Sequence, residues 1–238
     1  IPARETSEFR ECFIPYPSEK LLVADYSSQE PRISAFYSKD KRLIEIITQG
    51  KDIYTEQARD VFGIEIDKSD PRRSIMKDTF LGMTYGLSKY GLSKGHGISL
   101  DEADLLIKKT FNFFPQLART MNTFAQNTRL VTTVWGRKCW LNPYSSQVAN
   151  NARNSPIQGT AADMMKRAKA VIHEEWNWDC PFGMVNMVHD ELVLSVPERL
   201  APEIGQWVSD IMAQVGEEMC KGIPFKADYK ICDNWSEK

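Results

Sequence analysis

The sequence predicts an α+β fold in which strands far apart in the chain build one antiparallel sheet and a helical insertion separates them. Three observations lead there. An apolar run stands near the start, at residues 20–24; two apolar runs flank His189 and Asp190, and another lies at residues 224–231. Most of the sequence between the first run and the last three shows helical spacing of its apolar residues.

Residues 20–24, KLLVA, read as a buried strand ending at Asp25. Between residues 30 and 50, Ile33, Phe36, Leu43, Ile46 and Ile47 recur at helical spacing, and another helix is expected over 54–62. Asp70 and Pro71 supply an N-cap and a first-turn proline for a helix running to about Gly86. Ser99 and Glu102 form a capping box that opens a helix through Phe114, after which Pro115 begins another, to about Arg129. Residues 131–135 and 138–141, joined by Gly136 and Arg137, form a short hairpin. A long helix follows over 147–176, with a kink expected at Pro156. Met184, Val185, Met187 and Val188, then Leu192, Val193, Leu194 and Val196, read as a buried hairpin. A helix over 198–220 and a strand over 224–231 complete the order, with no internal repeat.

Composition narrows the function classes. With 42% hydrophobic and 26% charged residues over 238 positions, the chain is of globular type and long enough to bury a core. No apolar run approaches the roughly 18 residues needed to cross a bilayer, and no secretory-type leader is read. Five cysteines, odd in number and without C-x-x-C spacing, argue against a disulfide framework and a zinc site. A reducing, cytoplasmic setting is the expectation. A net charge of −2 lacks the basic excess common among polyanion binders, so any nucleic-acid contact must rest on local clusters.

Three constellations carry chemistry. Asp25 and Asp190 each sit where an apolar strand ends. If those strands are neighbours the carboxylates converge, and two like charges so placed repel unless a cation lies between them. Mg²⁺ suits a few carboxylates with water and phosphate oxygens, whereas a solvated acidic turn explains Asp190 and Glu191 equally well on their own. The second constellation is Arg73, Lys77, Leu81 and Tyr85, four apart along one helix. Over about 18 Å they would match the phosphates and base of a nucleoside triphosphate; an amphipathic helix with solvated cations and a Leu81–Tyr85 core face is the plainer reading. Arg72 makes that helix start doubly basic, against the macrodipole, as an anion site would. The third is the pair Asn154 and Gln158, whose donors and acceptors suit the minor groove and are equally ordinary polar helix residues.

Taken in order, these segments resemble the polymerase module of family A DNA polymerases, the bacterial DNA polymerase I family. D-Y-S-S-Q-E-P-R at residues 25–32 is similar to the first motif of that family. Arg73, Lys77, Tyr85 and Gly86 resemble the fingers-helix motif, Q-G-T-A-A-D at 158–163 a palm-helix segment, and V-H-D-E at 188–191 the third motif. The resemblance extends over nearly the whole chain. It implies a palm in two parts, 1–38 and 131–238, enclosing fingers over 39–130, with thumb and exonuclease domains absent from this chain.

Carried over by residue, the resemblance implies that Asp25 and Asp190 hold two Mg²⁺ ions, with Glu191 as a secondary carboxylate. Arg73 and Lys77 would bind the triphosphate, and Lys77 would protonate the departing pyrophosphate. Leu81 would line the nucleotide site, Tyr85 would guard the template-side base, and Glu30 would exclude a ribose 2′-hydroxyl. Asn154, Gln158 and His189 would touch the minor groove. The implied partners are primer-template DNA, dNTPs and a thumb-bearing segment or partner chain; no membrane is implied. Leu81 departs from the usual aromatic residue, Tyr54 from a histidine, Ser28 from a glutamine, and Asn150 from an arginine.

The reading that follows is a DNA-directed DNA polymerase module. Two alternatives remain: a non-catalytic DNA-binding subunit or half of a split polymerase, and a single-subunit RNA polymerase, against which Glu30 argues.

Overall fold

A computed structural model describes residues 7–238, and they divide into two compact units. In chain order the first elements are α1 (Ser7–Glu11), β1 (Glu19–Tyr26), α2 (Gln29–Ser38), α3 (Lys41–Thr48), α4 (Ile53–Phe62) and α5 (Pro71–Tyr85). Next come α6 (Lys89–His96), α7 (Leu100–Phe113), α8 (Pro115–Ala125), β2 (Leu130–Thr132) and β3 (Lys138–Trp140). The long α9 (Val148–Glu174), β4 (Met184–Val188), β5 (Glu191–Pro197), α10 (Ala201–Met219) and β6 (Ala227–Cys232) follow, with 3₁₀ turns at Glu198–Leu200 and Trp235–Glu237. The mixed helix and antiparallel sheet expected from the sequence is what forms.

The first unit takes in residues 7–29, Ala161–Met219 and Pro224–Lys238. Its sheet runs in the order β4-β5-β1-β6, every pair antiparallel. Central β1 is buried continuously over Leu21, Leu22, Val23 and Ala24, the pattern of a strand covered on both faces. Leu22 meets α10 at Gly205, and the Tyr26 hydroxyl donates to the Met212 carbonyl at 2.6 Å. Leu21, Val23 and Val193 pack with Trp235 and Cys232.

The hairpin expected to be buried is so on one strand only. Every residue of β5 from Glu191 to Val196 is buried, whereas β4 lies at the sheet edge with Val185 49% and Met187 38% exposed. Among the described residues β5 is the one strand that pairs with β4. Its apolar run therefore reads as buried while behaving as an edge.

The second unit, Glu30–Thr160 with Cys220–Ile223, is helical and carries the two-stranded β2–β3 hairpin. Ala58, Val61, Ile66, Met76, Leu92, Ala103 and Leu106 form one of its cores. The expected caps form. The Asp70 carboxylate accepts from Arg72 N, Gly86 closes α5 at φ 75°, and Ser99 Oγ accepts from Glu102 N. The helical stretch after Glu30 resolves into α2 and α3, separated by Lys39 at φ 52° and the N-cap Asp40. Helix α6 is missing from the sequence-based assignment because Gly91 and Gly95 weaken its propensity, although Ser88 caps it. Helix α1 and the Trp235–Glu237 turn are too short to show periodicity. Helix α8 stops at Ala125, short of Arg129, and α9 runs on through Pro156.

One buried carboxylate ties two helix starts together. Asp40 Oδ1 accepts from Arg42 N and Leu43 N of α3, and Oδ2 accepts from Gln116 N and Leu117 N at the start of α8. Four otherwise orphaned donors meet one side chain with no exposure to solvent. Asp40→Ala is expected to cost about 2–4 kcal/mol, two caps and the exposure of their donors, read as a lowered urea midpoint. Asp40→Asn retains one acceptor oxygen and should cost less.

Candidate active site

The β1–β5 register brings together residues that the sequence holds far apart. Asp25 stands opposite Glu191, and the Tyr26 amide donates to the Asp190 carbonyl at 3.1 Å. The β4–β5 turn consists of His189 and Asp190, since Val188 pairs with Glu191. His189 takes φ 53°, a left-handed conformation that costs a non-glycine residue about 1–2 kcal/mol. The tight turn leaves the His189 side chain exposed and holds Asp190, half-buried, beside Asp25.

These carboxylates differ sharply in their surroundings. Glu191 is only 4% exposed, and both of its oxygens are engaged, Oε1 by the Trp235 indole N–H and Oε2 by the Lys238 ammonium. Asp25 Oδ2 accepts from Lys238 at 2.7 Å, while Oδ1 is buried with no hydrogen-bond partner among the described residues. Burial pushes the Asp25 carboxyl above its ordinary range; the Lys238 bond opposes this, and the charge of Asp190 adds to it. No three His, Cys, Asp or Glu side chains converge as a preformed metal cluster among the described residues. Mg²⁺ needs only one or two carboxylates when water and phosphate complete its shell, so two carboxylates and an unsatisfied buried oxygen fit such an ion.

In the helical unit, the stripe on α5 lies beside the core-facing side of the helix. The core face is Met76, Thr79, Phe80 and Met83, so Arg73, Lys77, Leu81 and Tyr85 are left on its flank. Phe80 packs edge-to-face on Tyr54 and Phe114. Arg73 is clamped to Asp52 by two parallel bonds, Nε to Oδ1 at 2.9 Å and Nη2 to Oδ2 at 2.7 Å. Its guanidinium lies 5.4 Å from the centroid of the buried Tyr54 ring. Lys77 is half-buried and makes no ion pair or hydrogen bond with the described residues. Arg72, which suggested an anion, is instead neutralised by bidentate bonds to its own N-cap, Asp70.

Glu30, Tyr85 and Gln158 form a hydrogen-bonded chain. The Tyr85 hydroxyl donates to Glu30 Oε1 at 2.7 Å and accepts from Gln158 Nε2 at 2.6 Å. Leu81 and Tyr85 line a cleft of 340 Å³ with Asp78, Leu87, Leu92 and His96. Asn154 has its Oδ1 buried without a hydrogen-bond partner among the described residues. Gly159 is needed where it stands: a Cβ there would lie 2.7 Å from Thr133 Cγ2, and the Gly159 carbonyl accepts from Arg137 of the hairpin. Gly86 is equally constrained, since a Cβ would fall 1.9 Å from Asn150 Oδ1.

Three contributors escaped the sequence reading: Asp52, Trp235 and Lys238. Asp52 was readable as the N-cap of α4, because Asp followed by Ile-Tyr-Thr opens an apolar-periodic stretch. Trp235 and Lys238 carried no local signal, since their bonds to Glu191 span 44 and 47 positions.

The sequence model of DNA polymerase family A matches residues 1–237. DNA polymerase I of Chloroflexus aurantiacus is 32% identical over 252 residues, an alignment covering 100% of this chain and 26% of that protein. DNA polymerase I of Caldicellulosiruptor bescii is 35% identical over 251 residues, covering 100% and 29%. The chain thus spans well under a third of the length of these relatives. Among solved structures, the POL domain of Pol1 from M. smegmatis, in complex with DNA primer-template and dNTP, superposes with a TM-score of 0.84 at 29% identity. That match covers 99% of this chain and 44% of the other.

The Asp52–Arg73 pair makes a pH prediction. Burial pushes the Asp52 carboxyl up, but the Arg73 bond, the two bonds from Thr55 and the Arg73 charge together bring it down to about 2. A depressed carboxyl contributes stability that is present above its unfolded pKa and lost as pH falls through the folded one. The contribution, about 1–2 kcal/mol after allowance for solvent screening, should therefore disappear between about pH 4 and pH 2. Asp52→Asn should lower the urea midpoint at neutral pH and match the wild type near pH 2.

Proposed function

Since the chain belongs to DNA polymerase family A, we propose that it forms the palm and fingers of a template-directed DNA polymerase. In this reading residues 1–38 and 131–238 are palm and 39–130 are fingers. The reaction adds a dNTP to a primer 3′-hydroxyl by two-metal-ion nucleotidyl transfer and releases pyrophosphate. The observation that carries it is the pairing of Asp25 with Glu191, beside the His189–Asp190 turn at one end of the sheet, with an Asp25 oxygen buried and without a partner among the described residues.

Asp25 and Asp190 would hold Mg²⁺ through hard oxygen donors, and the bound ions would supply charge stabilisation to the entering and leaving oxygens. Glu191, with both oxygens already engaged, would act through its charge and by holding Lys238 rather than as a direct ligand. Lys77, the α5 cation without a partner among the described residues, would be the one of the two free to meet the triphosphate and to give a proton to pyrophosphate. Arg73 would reach phosphate only by giving up Asp52, or would serve by fixing the start of α5. Glu30, oriented by the Tyr85 hydroxyl, would stand against a ribose 2′-hydroxyl. Leu81 would present an aliphatic surface to the nucleotide. Gln158, Asn154 and His189 would meet minor-groove acceptors.

The partners proposed are primer-template DNA, dNTPs and a thumb-bearing segment or partner chain. Primer extension by the chain, assayed with and without a thumb-bearing segment, tests the reading. Asp25→Asn and Asp190→Asn are expected to reduce extension by about 10³-fold or more with unchanged circular dichroism. Undiminished extension by either folded variant would remove the metal assignment.

A further inference from the structure

Lys238 is a charged group at the carboxylate centre to which the proposed chemistry gives no role of its own. Its ammonium donates to Asp25 Oδ2 at 2.7 Å and also bonds Glu191 Oε2. The arm that delivers it is built. Trp235 is buried against Leu21, Val23 and Val193, and its ring packs edge-to-face on Phe13 at 5.3 Å. The Trp235 backbone amide donates to the Phe13 carbonyl at 3.0 Å, and its indole N–H holds Glu191 Oε1. The Trp235–Glu237 turn is pinned further by Asp233 N to Glu237 Oε2 at 2.9 Å and by Asn234, whose side chain accepts from Ser236 N.

The ammonium therefore lies between two carboxylates on neighbouring strands, where like charges would otherwise repel. A lysine is a compact point charge on a flexible four-carbon stem, so it can yield one oxygen and keep another. A divalent cation bound at Asp25 needs the same lone pairs and is itself repelled by the ammonium. Glu191 remains as a second acceptor for the ammonium once Asp25 is taken.

Resting on the metal-binding reading above, we propose that Lys238 is a resident counterion. It holds Asp25 and Glu191 together in the metal-free protein, competes with the divalent cation for Asp25, and so sets the affinity of the centre for metal. Lys238 is a positioning residue in this scheme and touches no reacting atom.

The test is Mn²⁺ binding to this chain, followed by electron paramagnetic resonance with no substrate present. Lys238→Met is expected to tighten binding about tenfold, and the gain should shrink as salt is raised. Lys238→Arg keeps the charge and should bind no more tightly than the wild type. A side chain that merely braced the fold would weaken binding when removed, so the direction of change separates the two roles. Asp25→Asn serves as the reference. If it abolishes binding while Lys238→Met leaves affinity unchanged or lower, with circular dichroism intact, the counterion role is wrong and the metal site stands. If Asp25→Asn leaves binding as in the wild type, the metal reading falls and the counterion role falls with it.

Discussion

A carboxylate at the end of a buried central strand must be neutralised or metallated, and the architecture of the sheet unit follows from that constraint. β1 is covered on both faces, so Asp25 at its end inherits a desolvated setting in which its charge is disfavoured. The β1–β5 register then adds Asp190 and Glu191 to the same place. Burying such a group unpaired would cost several kcal/mol, which a fold of marginal stability cannot carry alone. Trp235 and Lys238 share the task, one holding Glu191 by an indole N–H and the other bridging Glu191 and Asp25. Asp25 Oδ1 is left over among the described residues, and in the proposed reading it is the oxygen open to a hard cation.

The helical unit solves a different problem, that of assigning cations on one helix to structure or to a ligand. Three basic residues lie in the first two turns of α5. Arg72 is matched to Asp70 and Arg73 to Asp52, so each arginine is satisfied by a carboxylate that also caps a helix. Lys77 has no such partner among the described residues. The start of α5 is thereby tied down by two carboxylates, and a turn further on Lys77 stands unmatched among the described residues. Tyr85, at the far end of the same helix, closes a chain of hydrogen bonds through Glu30 and Gln158.

Much of this was legible from the sequence, and what was not has a physical reason. Caps at Asp70 and Ser99 act within three residues, so local pattern found them. The strand ending in Asp25 and the hairpin around Asp190 were visible as apolar runs, but their adjacency is set by pairing across most of the chain. The apolar run of β4 looked buried because hydrophobicity does not report whether a strand lies at an edge. Asp40 was unreadable as a cap for α8, since its bonds to Gln116 and Leu117 span 76 and 77 positions. The Arg73 to Tyr85 stripe showed its spacing but not which side of α5 faces the core, which Met76, Phe80 and Met83 decide.

A crystal of this chain soaked in Mn²⁺ and measured at the manganese absorption edge locates the metal directly. The predicted result is an anomalous peak about 2.1 Å from a carboxylate oxygen of Asp25, shared with Asp190, with the Lys238 ammonium withdrawn toward Glu191. No peak at Asp25, or one only at surface carboxylates with Lys238 still bridging, would contradict it.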